Sequence, residues 1–148
     1  MTSNRPASRV GIFAGILMLA VGCSPSADLA PVTGIVTIDG TPYPGGKVIF
    51  SPTAKEGETV AGQSSFGRPG ADGRFSLSTF KPGDGALVGS HTVSLFRESD
   101  NSKVPPALTK LRFNRVTLPG GPISIEPGTN EIHLELTTEQ IRKYGNRL

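Results

Sequence analysis

The chain has 148 residues, with 15 lysines and arginines against 12 acidic residues, one cysteine and no tryptophan. That length fits one domain with one core, and a single thiol excludes an internal disulfide framework. Arg5 and Arg9 sit in an N-terminal stretch without acidic residues, and removing those two leaves 13 basic against 12 acidic side chains. A domain so near neutrality lacks the basic footprint that nucleic-acid binding requires.

Behind Arg5 and Arg9 runs an apolar stretch, Val10 to Val21, ending at Gly22 and then Cys23. Its length suits the hydrophobic part of a signal peptide and falls short of a spanning helix. Leu19-Ala20-Val21-Gly22-Cys23 resembles a bacterial lipobox, although Ala20 stands where the pattern favours leucine. The resemblance implies that the Cys23 thiol takes a diacylglycerol and that residues 1–22 are removed. Two other fates stay open: cleavage after Ala20 or Gly22 releasing a soluble protein with a free thiol, or an uncleaved membrane anchor. Ser24, rather than an aspartate, follows the cysteine, which by the Gram-negative sorting pattern implies outer-membrane delivery. Residues 23–31 then form a small, polar, proline-bearing tether.

From Val32 onward, 19 glycines and 13 prolines punctuate short apolar runs, mostly as turn signals. Val32, Gly34, Val36 and Ile38 alternate with Thr33, Ile35 and Thr37, the period of a half-buried strand. Asp39-Gly40 marks a turn that uses positive φ. Lys47 to Ser51 predicts a strand with Val48 and Phe50 inward, stopped by Pro52. Val60 to Phe66 is a weaker, polar strand, and Pro69 to Gly73 a strong turn. Arg74 to Phe80 alternates with Phe75, Leu77 and Thr79 on one side, and Lys81 to Gly89 reads as a loop. His91 to Phe96 carries His91, Val93 and Leu95 on one face. Ile123 to Glu126 and Glu131 to Leu136 close the domain, with Ile132, Leu134 and Leu136 inward and Glu131, His133 and Glu135 outward. Thr138 is the expected N-cap of a short polar helix or frayed tail, 138–148. About seven short strands predict an all-β, antiparallel sandwich over 32–137.

The run from Val32 to Pro42, followed by Gly46-Lys47-Val48-Ile49-Phe50, resembles the opening of carboxypeptidase regulatory-like domains. Ala71-Asp72-Gly73-Arg74-Phe75-Ser76-Leu77 is similar to the second block of that family. Phe80-Lys81-Pro82-Gly83-Asp84-Gly85 and Gly89-Ser90-His91-Thr92-Val93-Ser94-Leu95 are similar to the third, with His91 where an aromatic usually stands. The likeness covers Val32 to about Phe96, continues loosely over Ile123 to Leu136, and is absent from Glu98 to Pro122. It implies a transthyretin-like or Ig-like sandwich carried by a small bacterial lipoprotein, without a single established activity.

No catalytic or metal pattern stands out. Ser90 and His91 are adjacent, so on a strand they face opposite ways and form no nucleophile–base pair. Gly62-Gln63-Ser64-Ser65 is not a nucleophile elbow. Two histidines without a spare cysteine make a poor zinc set. Asp72 and Asp84 lack the oxygen count that calcium needs. The chain end, Tyr144-Gly145-Asn146-Arg147-Leu148, does not match the Tyr-Arg-Gly-Ser end of transthyretin-like hydrolases. A carbohydrate module has only Tyr43 and Tyr144 to offer as the rings such modules usually stack on. Lys110, Arg112 and Arg115 form a candidate anion-contacting surface toward phosphate or carboxylate of an envelope polymer or lipid. The alternative is an edge strand guarded by cations.

The expected protein is therefore a lipid-anchored envelope module, structural or binding, without catalysis or cofactor. Its expected partners are membrane lipid through Cys23 and an envelope protein or polymer. The alternative is an accessory domain or enzyme of envelope polymer metabolism, carbohydrate or peptide, with an unrecognised site. An enzyme should show a concave pocket with converging polar groups; an interaction module should show a flat face or open edge.

Overall fold

The computed structural model describes residues 1, 28–54, 61–98 and 103–146. Residues 2–27, which hold most of the expected signal segment, Cys23 and most of the expected tether, lie outside the described residues. The described chain is mostly β. In order, the elements are β1 (Leu29–Ala30), β2 (Val32–Ile38), β3 (Thr41–Pro42), β4 (Gly46–Pro52), β5 (Ser65–Gly67), β6 (Arg74–Ser76), β7 (Ala86–Leu87), β8 (Gly89–Arg97), β9 (Arg115–Thr117), β10 (Ile123–Ile125), β11 (Asn130–Leu136), α1 (Thr138–Tyr144) and β12 (Gly145–Asn146).

The larger sheet runs β12-β9-β8-β4-β5, with β10 also paired to β8. The smaller runs β11-β2-β3, with β6 also on β2, and β1 pairs separately with β7. Alternation builds one core from both sheets. Val36, Ile38, Leu134 and Leu136 enter it from the smaller sheet, and Val48, Phe50, Val93, Leu95 and Val116 from the larger. The Phe50 and Phe75 rings meet across it, tilted by 43° with centroids 6.4 Å apart. Of the apolar side chains that alternation turns inward, Val36, Val48, Phe50, Phe75, Leu77, Val93, Leu95, Leu134 and Leu136 are buried, and Ile132 is only partly covered.

Gly34 has a packing reason. It lies between Phe75 and Ile132 in register, and a Cβ there would sit 2.3 Å from the Ile132 carbonyl oxygen and 2.6 Å from Phe75 Cζ. The bare backbone makes room for the ring. The Asp39-Gly40 turn has φ of 48° and 75°, both positive, and closes Ile38 on Thr41 as a two-residue hairpin.

Several expectations are corrected. The ladders are not all antiparallel: β11 runs parallel to β2 from Asn130↔Val32 to Leu136↔Ile38. The chain reaches β11 from β10 of the other sheet, so no hairpin sets its direction, and alternation carries no information on direction. Structure begins before Val32, because Leu29–Ala30 pairs with Ala86–Leu87 inside the expected loop 81–89. The polar strand is shorter and later than Val60 to Phe66, at Ser65–Gly67. The ladder from Arg74 stops at Ser76, with one further bridge between Ser78 and Phe66, and Phe80 is exposed.

The helix N-cap is Thr137, one residue before the expected Thr138. Its hydroxyl accepts from the Gln140 N–H at 3.1 Å, and Gln140 Oε1 accepts from the Thr137 N–H at 2.9 Å. Only a glutamine or glutamate three residues on completes that reciprocal box, which favours Thr137. The divergent segment is part of the core: Val104, Leu108, Leu111, Phe113 and Val116 are all buried. The Arg97 guanidinium fastens it by donating to the carbonyls of Leu111 and Thr109.

Candidate functional site

Strand β8 separates Ser90 from His91. Ser90 is exposed, while His91 is fully buried and stacks obliquely on Phe50 at 6.1 Å. A carbonyl oxygen only accepts, so His91 Nδ1–H donates to Gly89 O at 3.0 Å. Nε2 is buried and, among the described residues, has no hydrogen-bond partner. Burial pushes the imidazole below its ordinary value, and the bond to Gly89 opposes this only in part. The ring is thus held neutral, facing away from Ser90. His133, on the outward parity of β11, is exposed.

Beside Ser90 lies a hollow of about 550 Å³ whose polar lining includes Asp28, Thr53 and Ser90. Thr53 spends its hydroxyl on the Ser90 carbonyl, donating at 2.8 Å. Among the described residues the hollow offers one carboxylate, Asp28, and the hydroxyls of Thr53 and Ser90.

Asp72 and Asp84 serve the backbone. Asp84 Oδ1 accepts from Thr79 N–H at 2.7 Å, and Oδ2 accepts from Phe80 and Lys81 N–H at 2.9 and 2.8 Å. Burial pulls the Asp84 carboxyl upward, but the N–H groups of Thr79, Lys81 and Phe80 outweigh it and leave the group below the ordinary carboxylate range. This is why the loop reads Lys-Pro-Gly-Asp-Gly: its aspartate organises its own turn. Asp72 Oδ1 accepts from the Arg74 N–H at 3.1 Å. Among the described residues, no three His, Cys, Asp or Glu side chains gather as metal ligands.

The three candidate cations do not share one strand. Lys110 ends a turn at 106–110, Arg112 lies in irregular chain, and only Arg115 is on β9; all three are exposed. Strand β9 is flanked by β8 and β12, so it is not the guarded edge the alternative reading supposed. Arg115 instead joins a group not foreseen. Its guanidinium carbon lies 5.8 Å from the Phe96 ring centroid, and Lys47 Nζ approaches the same ring at 6.0 Å. The outward parity of Lys47 was readable from the inward Val48 and Phe50, but the register that brings β4, β8 and β9 together was not.

No protein-family model matches the chain, and no curated protein does. Among solved structures the chain is similar to a DUF3823 family protein from Parabacteroides merdae, with 17% sequence identity and a TM-score of 0.43. The match covers 74% of this chain and 46% of that one, so the chain spans less than half of that protein's length.

Proposed function

We propose that this chain is a lipid-anchored module of the bacterial cell envelope, acting by binding or scaffolding and not by catalysis. In this reading its two sheets form a transthyretin-like sandwich of the carboxypeptidase regulatory-like kind. The observation that carries it is the short step from Cys23 to the first ladder at Leu29. Six residues span at most about 20 Å, so a lipid on Cys23 keeps the domain against the membrane. The segments that resemble the family support the scaffold reading, since Gly34, Asp39-Gly40 and Asp84 serve packing and turns. The buried, neutral His91 set away from Ser90 supports the non-catalytic half.

The test is metabolic labelling with a fatty acid. Wild type should incorporate label, and Cys23→Ala should lose it and accumulate as precursor. Equal labelling of both would sink the anchor. Fractionation should recover the labelled protein with the outer membrane. The competing enzyme reading would have to use the hollow beside Ser90; a turnover activity lost in Ser90→Ala with the fold intact would favour it.

A further inference from the structure

The outward face of the larger sheet carries cations grouped around one aromatic ring. Lys47 pairs with Phe96 across β4–β8, and Phe96 with Arg115 across β8–β9. The rung reads Lys47, Phe96, Arg115, and Arg68 follows Gly67, the partner of Val48, just past the end of β5. The next rung on the same face reads Phe66, Ile49, Ser94, Thr117. Phe66 is 46% exposed and presents its ring to solvent on this face. Arg68 is held by Glu98. Among the described residues, Lys47 and Arg115 have no carboxylate partner, and both turn to the Phe96 ring.

We propose that this face binds a linear acidic polysaccharide, a sugar chain bearing carboxylates, laid across the strands. This deepens the binding-module reading and rests on it. Successive strands are about 4.8 Å apart, close to the length of one sugar unit, so a chain crossing the sheet meets successive strands with successive sugars. Carboxylates reach Lys47 and Arg115, where charge-assisted hydrogen bonds form. The apolar faces of the rings lie on Phe66 and Ile49, and their hydroxyls meet the Ser94–Thr117 pair, itself bonded at 3.2 Å.

Three other occupants fit less well. A nucleic acid demands a broad basic field, and the domain is nearly neutral. A bilayer is gripped by apolar groups that protrude, whereas Phe96 and Phe66 lie within strands of a sheet. A second copy could offer Glu131 and Glu135, exposed on β11, but four residues along a strand set them about 13 Å apart, wider than the two strand spacings, about 9.6 Å, between Lys47 and Arg115.

The test uses the full chain in neutral phosphatidylcholine nanodiscs, with polygalacturonate as probe and calorimetry as readout. Wild type should bind at low salt, more weakly at high salt, and should ignore neutral dextran. The double variant Lys47→Gln/Arg115→Gln should weaken binding by about tenfold or more, as expected for two charge-assisted contacts. Phe66→Ala should weaken it without altering the salt dependence. Lys110→Gln/Arg112→Gln should bind as wild type. All these positions are on the surface, and circular dichroism checks that each variant folds. Failure of wild type to bind, equal binding by the Lys47/Arg115 variant, or equal uptake of dextran overturns the proposal. So does binding to phosphatidylglycerol discs or self-association in place of polymer binding. Any of these with fatty-acid labelling of Cys23 intact leaves the anchor standing and removes only the ligand.

Discussion

The Asp39 carboxylate receives two hydrogen bonds from Thr138, one from its N–H at 3.1 Å and one from its hydroxyl, across 99 residues of sequence. The contact ties the β2–β3 turn to the first turn of α1. The Asp39 N–H adds a third link by donating to the Leu136 carbonyl at 2.9 Å. The parallel β2–β11 ladder ends at this point, and side chains at its two exits lock it. Asp39 also accepts a backbone φ of 48°, which an aspartate tolerates better than most residues.

Two substitutions separate those roles. Asp39→Gly should keep the turn and lose the link to Thr138. Asp39→Ala should lose both, and be less stable than the glycine variant by about 1–2 kcal/mol, the cost of a Cβ in the left-handed region. Urea midpoints measure the difference, and equal midpoints would show that the turn carries no backbone cost. The Thr138 hydroxyl first, then its N–H, hold the Asp39 carboxyl below its ordinary value of 3.8, against a small opposing pull of burial and with help from Arg142. A depressed carboxyl stabilises above its unfolded value and stops doing so as pH falls through the folded one. Acid unfolding below about pH 4 should therefore be shallower in Asp39→Asn than in wild type.

The Gly34–Phe75 contact predicts a coupled pair. Phe75→Ala should cost about 3–5 kcal/mol, since the ring is buried and faces Phe50. Gly34→Ala should cost about 1–3 kcal/mol by overpacking against the ring and the Ile132 carbonyl. The double variant should lose less than the two singles summed, because the missing ring removes half of the clash. Additive losses would mean that Gly34 is not kept for Phe75.

What was legible in the sequence was local. Alternation alone placed Val48, Phe50, Phe75, Leu77, Val93 and Leu95 in the core, and Asp39-Gly40 fixed its own hairpin. Sheet partners were not legible, because Val32 to Ile38 alternates identically whether its neighbour runs parallel or antiparallel. The core residues Leu108, Leu111 and Phe113 were hidden in a segment without a sustained period, fixed by the reach of Arg97 from another strand. The Lys47–Phe96–Arg115 group escaped for the same reason: its members are far apart in sequence, and only the register unites them. Thr137 is the better cap in the sequence itself, since Gln140 follows it by three.

His91 is the place where a catalytic reading and a packing reading diverge most. Its ring is fully buried against Phe50, one nitrogen bonded to Gly89 and the other, among the described residues, without a partner. Protonation would place a charge among apolar side chains, so burial holds the group below its ordinary value of 6.5. The unfolded chain then binds a proton that the folded chain refuses. Stability from this source is complete above about 6.5 and falls as pH drops from there toward the folded value. His91→Phe should keep the fold and remove the unpartnered nitrogen. Its stability should match or exceed wild type near neutrality, and the advantage should grow from pH 6.5 downward. Chemical denaturation at pH 7.5, 6 and 5 reads this directly. A constant difference between the two proteins over that range would mean that folding leaves the proton affinity of the imidazole unchanged. A well-folded His91→Phe that lost a binding or turnover activity would make this ring part of a site instead of part of the core.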